Sequence, residues 1–242
     1  MPGRESEKGA EVMPLREPLS RKATDHGVIP QECTNKGRAL LILGKMKKIM
    51  FNDRYGLTKA VLEGRKTMTR RIIKAPKTME GQWVSGFAIC KRPGSDEFVE
   101  VMALDADEGM INNILPKYKP AEVVAVAQAY RDAIHPLDWI NTLIYKDEPG
   151  WNNKMFVRAD LMPHQIRITN VRVERLQDIS DEDCLNEGVF LGQFHTYSYV
   201  GRPCCPFNTP RDAFASLIDK VSGKGTWQAN PWVFVYEFML LE

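Results

Sequence analysis

Residues Trp232 to Leu240 read Trp-Val-Phe-Val-Tyr-Glu-Phe-Met-Leu, an apolar run interrupted only by Glu237. Successive strand residues point to opposite faces, so a strand that is apolar at both parities must be covered on both sides. Its richness in aromatic and β-branched residues favours a strand over a buried helix. The chain must therefore build layers around this segment, which predicts a strand buried on both faces in a mixed α+β domain.

Another strand is predicted at residues 165–176, Gln-Ile-Arg-Ile-Thr-Asn-Val-Arg-Val-Glu-Arg-Leu, where apolar and polar residues alternate. The apolar positions change from even to odd numbers at Thr169-Asn170, so one face can take both sets only if an extra residue bulges out there. Two helix starts are marked by caps. Ser180 with Asp183 opens a helix of about two turns that Gly188 would end. Thr209-Pro210-Arg211-Asp212 opens another, with Phe214, Leu217, Ile218 and Val221 on one face. Leu57, Ala60 and Val61 fall at helical spacing ahead of Gly64, a suitable C′ residue, and a strand is predicted over residues 66–73. Val123 to Ala129 reads as another strand.

The rest of the chain is less regular. Residues 1–45 mix charge, proline and small polar residues without periodicity, which predicts a disordered extension, or a stretch upstream of a true start at Met46. Residues 46–242 then form one main domain, in line with the size of a single core. Residues 74–120 carry loop markers such as Pro76, Pro93-Gly94 and Pro116, and read as an insertion holding one hairpin. A second insertion is expected at 189–208. Five cysteines, Cys33, Cys90, Cys184, Cys204 and Cys205, form no CxxC pair. That spacing speaks against a disulfide framework or a structural zinc site, and His195 with the adjacent Cys204 and Cys205 lacks a fourth ligand. No apolar run approaches the roughly 20 residues of a bilayer span. A cytoplasmic protein without membrane association, metal or cofactor is the expectation.

The net charge is only +2, so a basic binding surface must be local. Arg65, Lys66, Arg70, Arg71 and Lys74 place five cations within ten residues, enough for phosphate contact. Trp83, Trp151 and Trp227 lie in loop-like contexts as candidate platforms for base stacking, whereas Trp232 belongs to the core strand.

Three co-linear segments resemble the ASCH family of PUA-like domains, in the larger form seen in phage and mobile-element genomes. They are Ala60 to Arg71, with Gly64-Arg65-Lys66-Thr67-Met68-Thr69-Arg70-Arg71 matching the Gly-x-Lys-Thr-x-Thr-x-Arg signature; Thr169 to Ser180, continuing to Glu187-Gly188; and Asn230 to Phe238. The resemblance implies a PUA-like small β-barrel with flanking short helices. It also implies binding of RNA or modified nucleosides, with an amidohydrolase that deacylates 4-acetylcytidine-like substrates as the enzymatic form and a non-catalytic RNA-binding module as the alternative. The family's working trio falls on Lys66, Thr69 and Glu187, with Arg65, Arg70 and Arg71 as substrate-binding residues. A hydroxyl needs a base to become a nucleophile, so Lys66 would activate Thr69 and Glu187 would move a proton to the leaving amine. The chain departs from the family at Ala121 to Tyr130, where similar proteins read Gly-Asp at the strand start and Glu in place of Gln128. Ribonuclease chemistry is disfavoured, because His135, His164 and His195 lie in unconnected segments.

Overall fold

The computed structural model describes residues 46–91, 98–134, 138–201 and 206–241. The disorder expected for residues 1–45, together with Cys33, His135, Cys204 and Cys205, lies outside them. In chain order the main elements are β1 (Lys48–Ile49), α1 (Leu57–Leu62), β2 (Met68–Ile72), β3 (Thr78–Met79), β4 (Gln82–Trp83), β5 (Gly86–Lys91), β6 (Phe98–Leu104), β7 (Met110–Asn113) and β8 (Val123–Val126). They continue with α2 (Tyr130–Ala133), α3 (Trp139–Tyr145), β9 (Gln165–Arg175), α4 (Asp181–Asn186), β10 (Phe190–Leu191), β11 (Tyr197–Ser198), α5 (Pro210–Ser222), α6 (Thr226–Ala229) and β12 (Trp232–Leu241).

The fold is α+β, and its principal sheet has the order β1-β8-β9-β12-β2. β12 sits between β9 and β2, antiparallel to both. Val233, Phe234, Val235, Tyr236 and Phe238 are buried there, as a strand covered on two faces requires. The bulge falls where the alternation breaks. Glu237 lies opposite Asn170 and Phe238 opposite Ile168, which leaves Thr169 as the extra residue and returns Val173 to the buried side.

No backbone pairing closes the sheet between β1 and β2 among the described residues. The two edges are linked instead by a side chain, the Arg71 guanidinium donating to the Met50 carbonyl at 2.6 Å. The insertion holds more structure than one hairpin: β3 and β4 pair with each other, and β5, β6 and β7 form a separate antiparallel sheet. Val101 and Ala103 are buried in β6 while the flanking residues are partly exposed, an alternation that the Pro and Gly markers around it masked in the sequence.

The helices start where their caps predict. Ser180 Oγ accepts from the Asp183 amide at 3.1 Å, and Thr209 Oγ1 accepts from the Asp212 amide at 3.1 Å. In α5, Ala213, Phe214, Leu217 and Ile218 are buried, but Val221 at the last turn is exposed, so the buried face ends one turn early. No helix among the described residues is long and apolar enough to cross a membrane.

The turn from α1 to β2 positions the candidate site. Gly64 has φ +72°, its amide donates to the Val61 carbonyl at 3.0 Å, and the Arg65 amide reaches the Ala60 carbonyl at 2.9 Å. These are the two hydrogen bonds of a Schellman motif. The strand starts at Met68 rather than at residue 66, so Lys66 belongs to the turn. Space around a Cβ at position 64 is open, so Gly64→Ala isolates the conformational cost of a left-handed residue. Urea unfolding should report a loss of about 1 kcal/mol.

Candidate functional site

Lys66 leaves the turn directed inward and is only 2% exposed. Its Nζ donates to Glu187 Oε2 at 2.5 Å and to the Glu187 carbonyl at 2.8 Å. Glu187 is the C-cap of α4, followed by Gly188 with φ +107°. A Cβ on Gly188 would stand 3.0 Å from Leu57 Cδ2 and 3.7 Å from Lys66 Cδ, so the glycine is what lets this helix end approach the turn. The Lys66 ammonium also lies 5.8 Å from the centroid of the Phe51 ring, which packs on Phe238 at 5.7 Å. Burial pushes the Lys66 pKa below the ordinary 10.5; Glu187 works in the opposite direction, and the charges of Arg71 and Arg70 add to the lowering.

Arg70 is buried rather than part of a solvated basic surface. Its Nε donates to Glu174 Oε1 at 2.8 Å, Nη2 to Asp183 Oδ2 at 2.7 Å, and Nη1 to Glu187 Oε1 at 3.3 Å. Burial disfavours its charge, but Glu187, Glu174 and Asp183 outweigh that cost and its pKa is raised. Arg172 joins from β9, donating to Glu174 at 3.1 Å, to Asp183 at 2.7 Å and to Glu237. Lys66, Arg70 and Arg172 thus share one cluster with Glu174, Asp183, Glu187 and Glu237.

Strand alternation explains which residues enter it. Arg70 and Arg172 both lie opposite Val235 in the sheet register, and Glu174 lies opposite Val233, so they occupy one face, which α4 covers. Thr69 lies opposite Tyr236 and Arg71 opposite Phe234, on the other face. Of the predicted trio, the structure therefore joins Lys66 and Glu187 directly and sets Thr69 apart. Thr69 is 5% exposed, and its hydroxyl makes no hydrogen bond to any described residue. The three predicted binding arginines separate as well: Arg70 is held in the cluster, Arg65 is paired with Glu63 at 2.6 Å, and Arg71 stays exposed with its Cζ 6.0 Å from the Phe51 centroid.

Arg71 also lines a cleft of about 330 Å³ with Phe234 and Tyr236 of β12, Lys48 and Met50 from the opposite sheet edge, and the segment Ile114 to Tyr118. Burial raises the Tyr118 pKa to about 12. Its hydroxyl donates to the Lys48 carbonyl at 2.9 Å, while Tyr236 Oη accepts from the Lys117 amide at 3.0 Å. The sequence held no local sign of Asp183, Glu174 or Tyr236 as neighbours of the motif. Of the tryptophans, Trp83 is 75% exposed, whereas Trp227 packs edge-on against Phe214 and Trp232 carries Arg175 over its ring at 4.4 Å.

Compared with known proteins, the chain matches no family model, no curated protein and no solved structure.

Two substitutions probe the energetics. Arg70→Met strands Glu174, Asp183 and Glu187 around a missing cation and should cost about 3–5 kcal/mol in denaturant unfolding. Gln128, two residues past β8, is 8% exposed and its Oε1 is buried without a hydrogen-bond partner among the described residues. Gln128→Met fills similar volume without an orphaned acceptor. It should stabilise the fold by about 1 kcal/mol, read as a rise of about 2–4 °C in Tm.

Proposed function

We propose that the chain is an ASCH-type, PUA-like protein that removes an acyl group from a modified nucleoside such as 4-acetylcytidine. The observation that carries this reading is Lys66: an amine buried to 2% exposure, with its pKa lowered by burial, in a 2.5 Å contact with Glu187. A buried amine with a lowered pKa supports a general-base role for Lys66, while Thr69 makes no hydrogen bond to it and stands on the other face of β2. The side-chain tie between β1 and β2 at Arg71 and Met50 is compatible with the barrel-like curvature of such domains.

In this reading neutral Lys66 takes the Thr69 Oγ1 proton as the oxygen attacks the amide carbonyl carbon. The tetrahedral intermediate collapses with cleavage of the C–N bond, and Glu187 relays the proton to the departing 4-amino nitrogen. Water then hydrolyses the threonyl ester, releasing acetate and the free enzyme. Thr69 must come within reach of Lys66 when substrate binds, because the two groups have no hydrogen bond between them in the unliganded chain; such contacts often tighten only in the complex. Arg71, exposed on the Thr69 face, is the cation placed to hold a substrate oxygen. The alternative, an RNA-binding module without turnover, draws on the same exposed arginine.

Purified protein should release acetate and cytidine from 4-acetylcytidine. Thr69→Ala should lower the rate by at least about a hundredfold while circular dichroism and Tm stay unchanged. Activity should rise with pH towards a midpoint below 10.5, because the lowered Lys66 pKa populates the neutral amine earlier than in a free lysine. No acetate release across a panel of acylated nucleosides sinks the enzymatic reading, and retained RNA binding in Thr69→Ala then selects the module.

A further inference from the structure

The first and last strands of the principal sheet, β1 and β2, form opposite sides of the 330 Å³ cleft described above. Its floor and walls are largely apolar, from Ile72, Ile73, Ile114, Leu115 and Phe234, and Leu115 is 68% exposed. Lys48, Arg71, Lys74 and Lys117 are its charged lining residues, and no carboxylate of the described residues is part of it. The Lys48 ammonium is committed to the carbonyls of Met155 and Val157, both at 2.6 Å. The other three cations line the cleft without an acidic partner among the described residues. Arg71 is anchored by the Met50 carbonyl through one of its N–H groups. Lys74 makes no hydrogen bond or ion pair among the described residues, and the Lys117 ammonium rests 5.3 Å from the Tyr118 centroid. Glu122, whose charge reaches Tyr118, is already paired with Lys47 at 2.9 Å.

Like charges gathered in one cleft repel one another, and among the described residues no carboxylate lines it to offset them. An apolar floor beneath them favours a ligand with a flat or apolar body and a strongly anionic group. A phosphate monoester carries close to two negative charges and several acceptor oxygens, and it can take an arginine fork and two lysine point charges together. The cleft volume is at the small end of ligand sites, enough for one nucleotide unit.

We propose that this cleft holds the phosphate of a nucleotide between Arg71, Lys74 and Lys117, with the heterocycle lying on Ile114 and Leu115. The substrate of the amidohydrolase reading, on which this inference rests for its reaction, is then a phosphorylated nucleoside. The phosphate belongs either to a free nucleotide or to a nucleotide within an RNA strand. Thr69 precedes Arg71 by two residues on the same strand face, so the phosphate grip would sit beside the reacting hydroxyl.

The test uses the full chain and calorimetric binding of cytidine, cytidine 5′-monophosphate, inorganic phosphate and hexacytidylate. The monophosphate should bind at least about tenfold more tightly than either cytidine or inorganic phosphate. Its advantage over cytidine should shrink at about 1 M salt, where the Debye length is about 3 Å. The double variant Lys74→Ala/Lys117→Ala should lose that advantage and keep its affinity for cytidine and its Tm. Tighter binding of hexacytidylate identifies a strand as the source of the phosphate, and binding no tighter than the monophosphate identifies a free nucleotide. Equal affinity for cytidine and its monophosphate overturns the proposal, as does a double variant that still discriminates. Turnover of 4-acetylcytidine with no gain for its 5′-phosphate keeps the amidohydrolase and overturns the phosphate site. Binding of the monophosphate without any turnover keeps the site and overturns the reaction.

Discussion

Arg70 lies on a sheet face that α4 covers, with its side chain only 1% exposed, and Arg172 joins it from the rim at 32%, so the buried charge of Arg70 must be matched within the protein. The Glu174, Asp183, Glu187 and Glu237 carboxylates supply the match. The cluster's arginines come from β2 and β9 and its carboxylates from β9, β12 and α4 with its C-cap, so a single cluster fixes how the helix docks on the three strands. Removing both signs together in favour of apolar residues would be tolerable, whereas removing one leaves the other buried and unpaired. The Lys66 pair hangs from this arrangement. Glu187 bonds Arg70 through one oxygen and Lys66 through the other, and the placement of the α4 C-terminus decides where the lysine amine can sit.

The two-residue period of β2 then divides the basic motif. Met68 and Arg70 turn towards α4, and Arg70 Nη1 approaches the Met68 sulfur at 3.1 Å. Thr69 and Arg71 share the face of Phe234 and Tyr236, and Arg71 lines the cleft there. Neighbouring arginines with the same chemistry thus receive opposite roles: Arg70 is spent on internal carboxylates, and Arg71 remains available to a ligand. Lys66, standing before the strand begins, belongs to neither alternation and contacts both sides, with Glu187 on one and the Phe51 ring on the other. That position makes it the contact between the buried carboxylate cluster and the Phe51 side of the sheet.

Much of the local structure was legible in the residues because its causes are local. A glycine with positive φ ends α1, side-chain caps start α4 and α5, the parity change in β9 locates Thr169 as the bulge, and the two-sided apolar run becomes the sheet's interior strand. The insertion was less legible, since its short strands alternate weakly between turns and a separate three-stranded sheet forms where one hairpin was expected.

By itself, then, the sequence determined the starts of α4 and α5, the turn that ends α1, the bulge in β9 and the two-sided burial of β12, since caps, turns and strand parity depend on neighbours a few residues away. Only the tertiary structure decided which of the motif's charges are neutralised. Arg70 meets Glu174, Asp183 and Glu187 at separations of 104, 113 and 117 residues. A cation's availability depends on the carboxylates around it in space, and those arrive through sheet register and helix docking that no local pattern encodes.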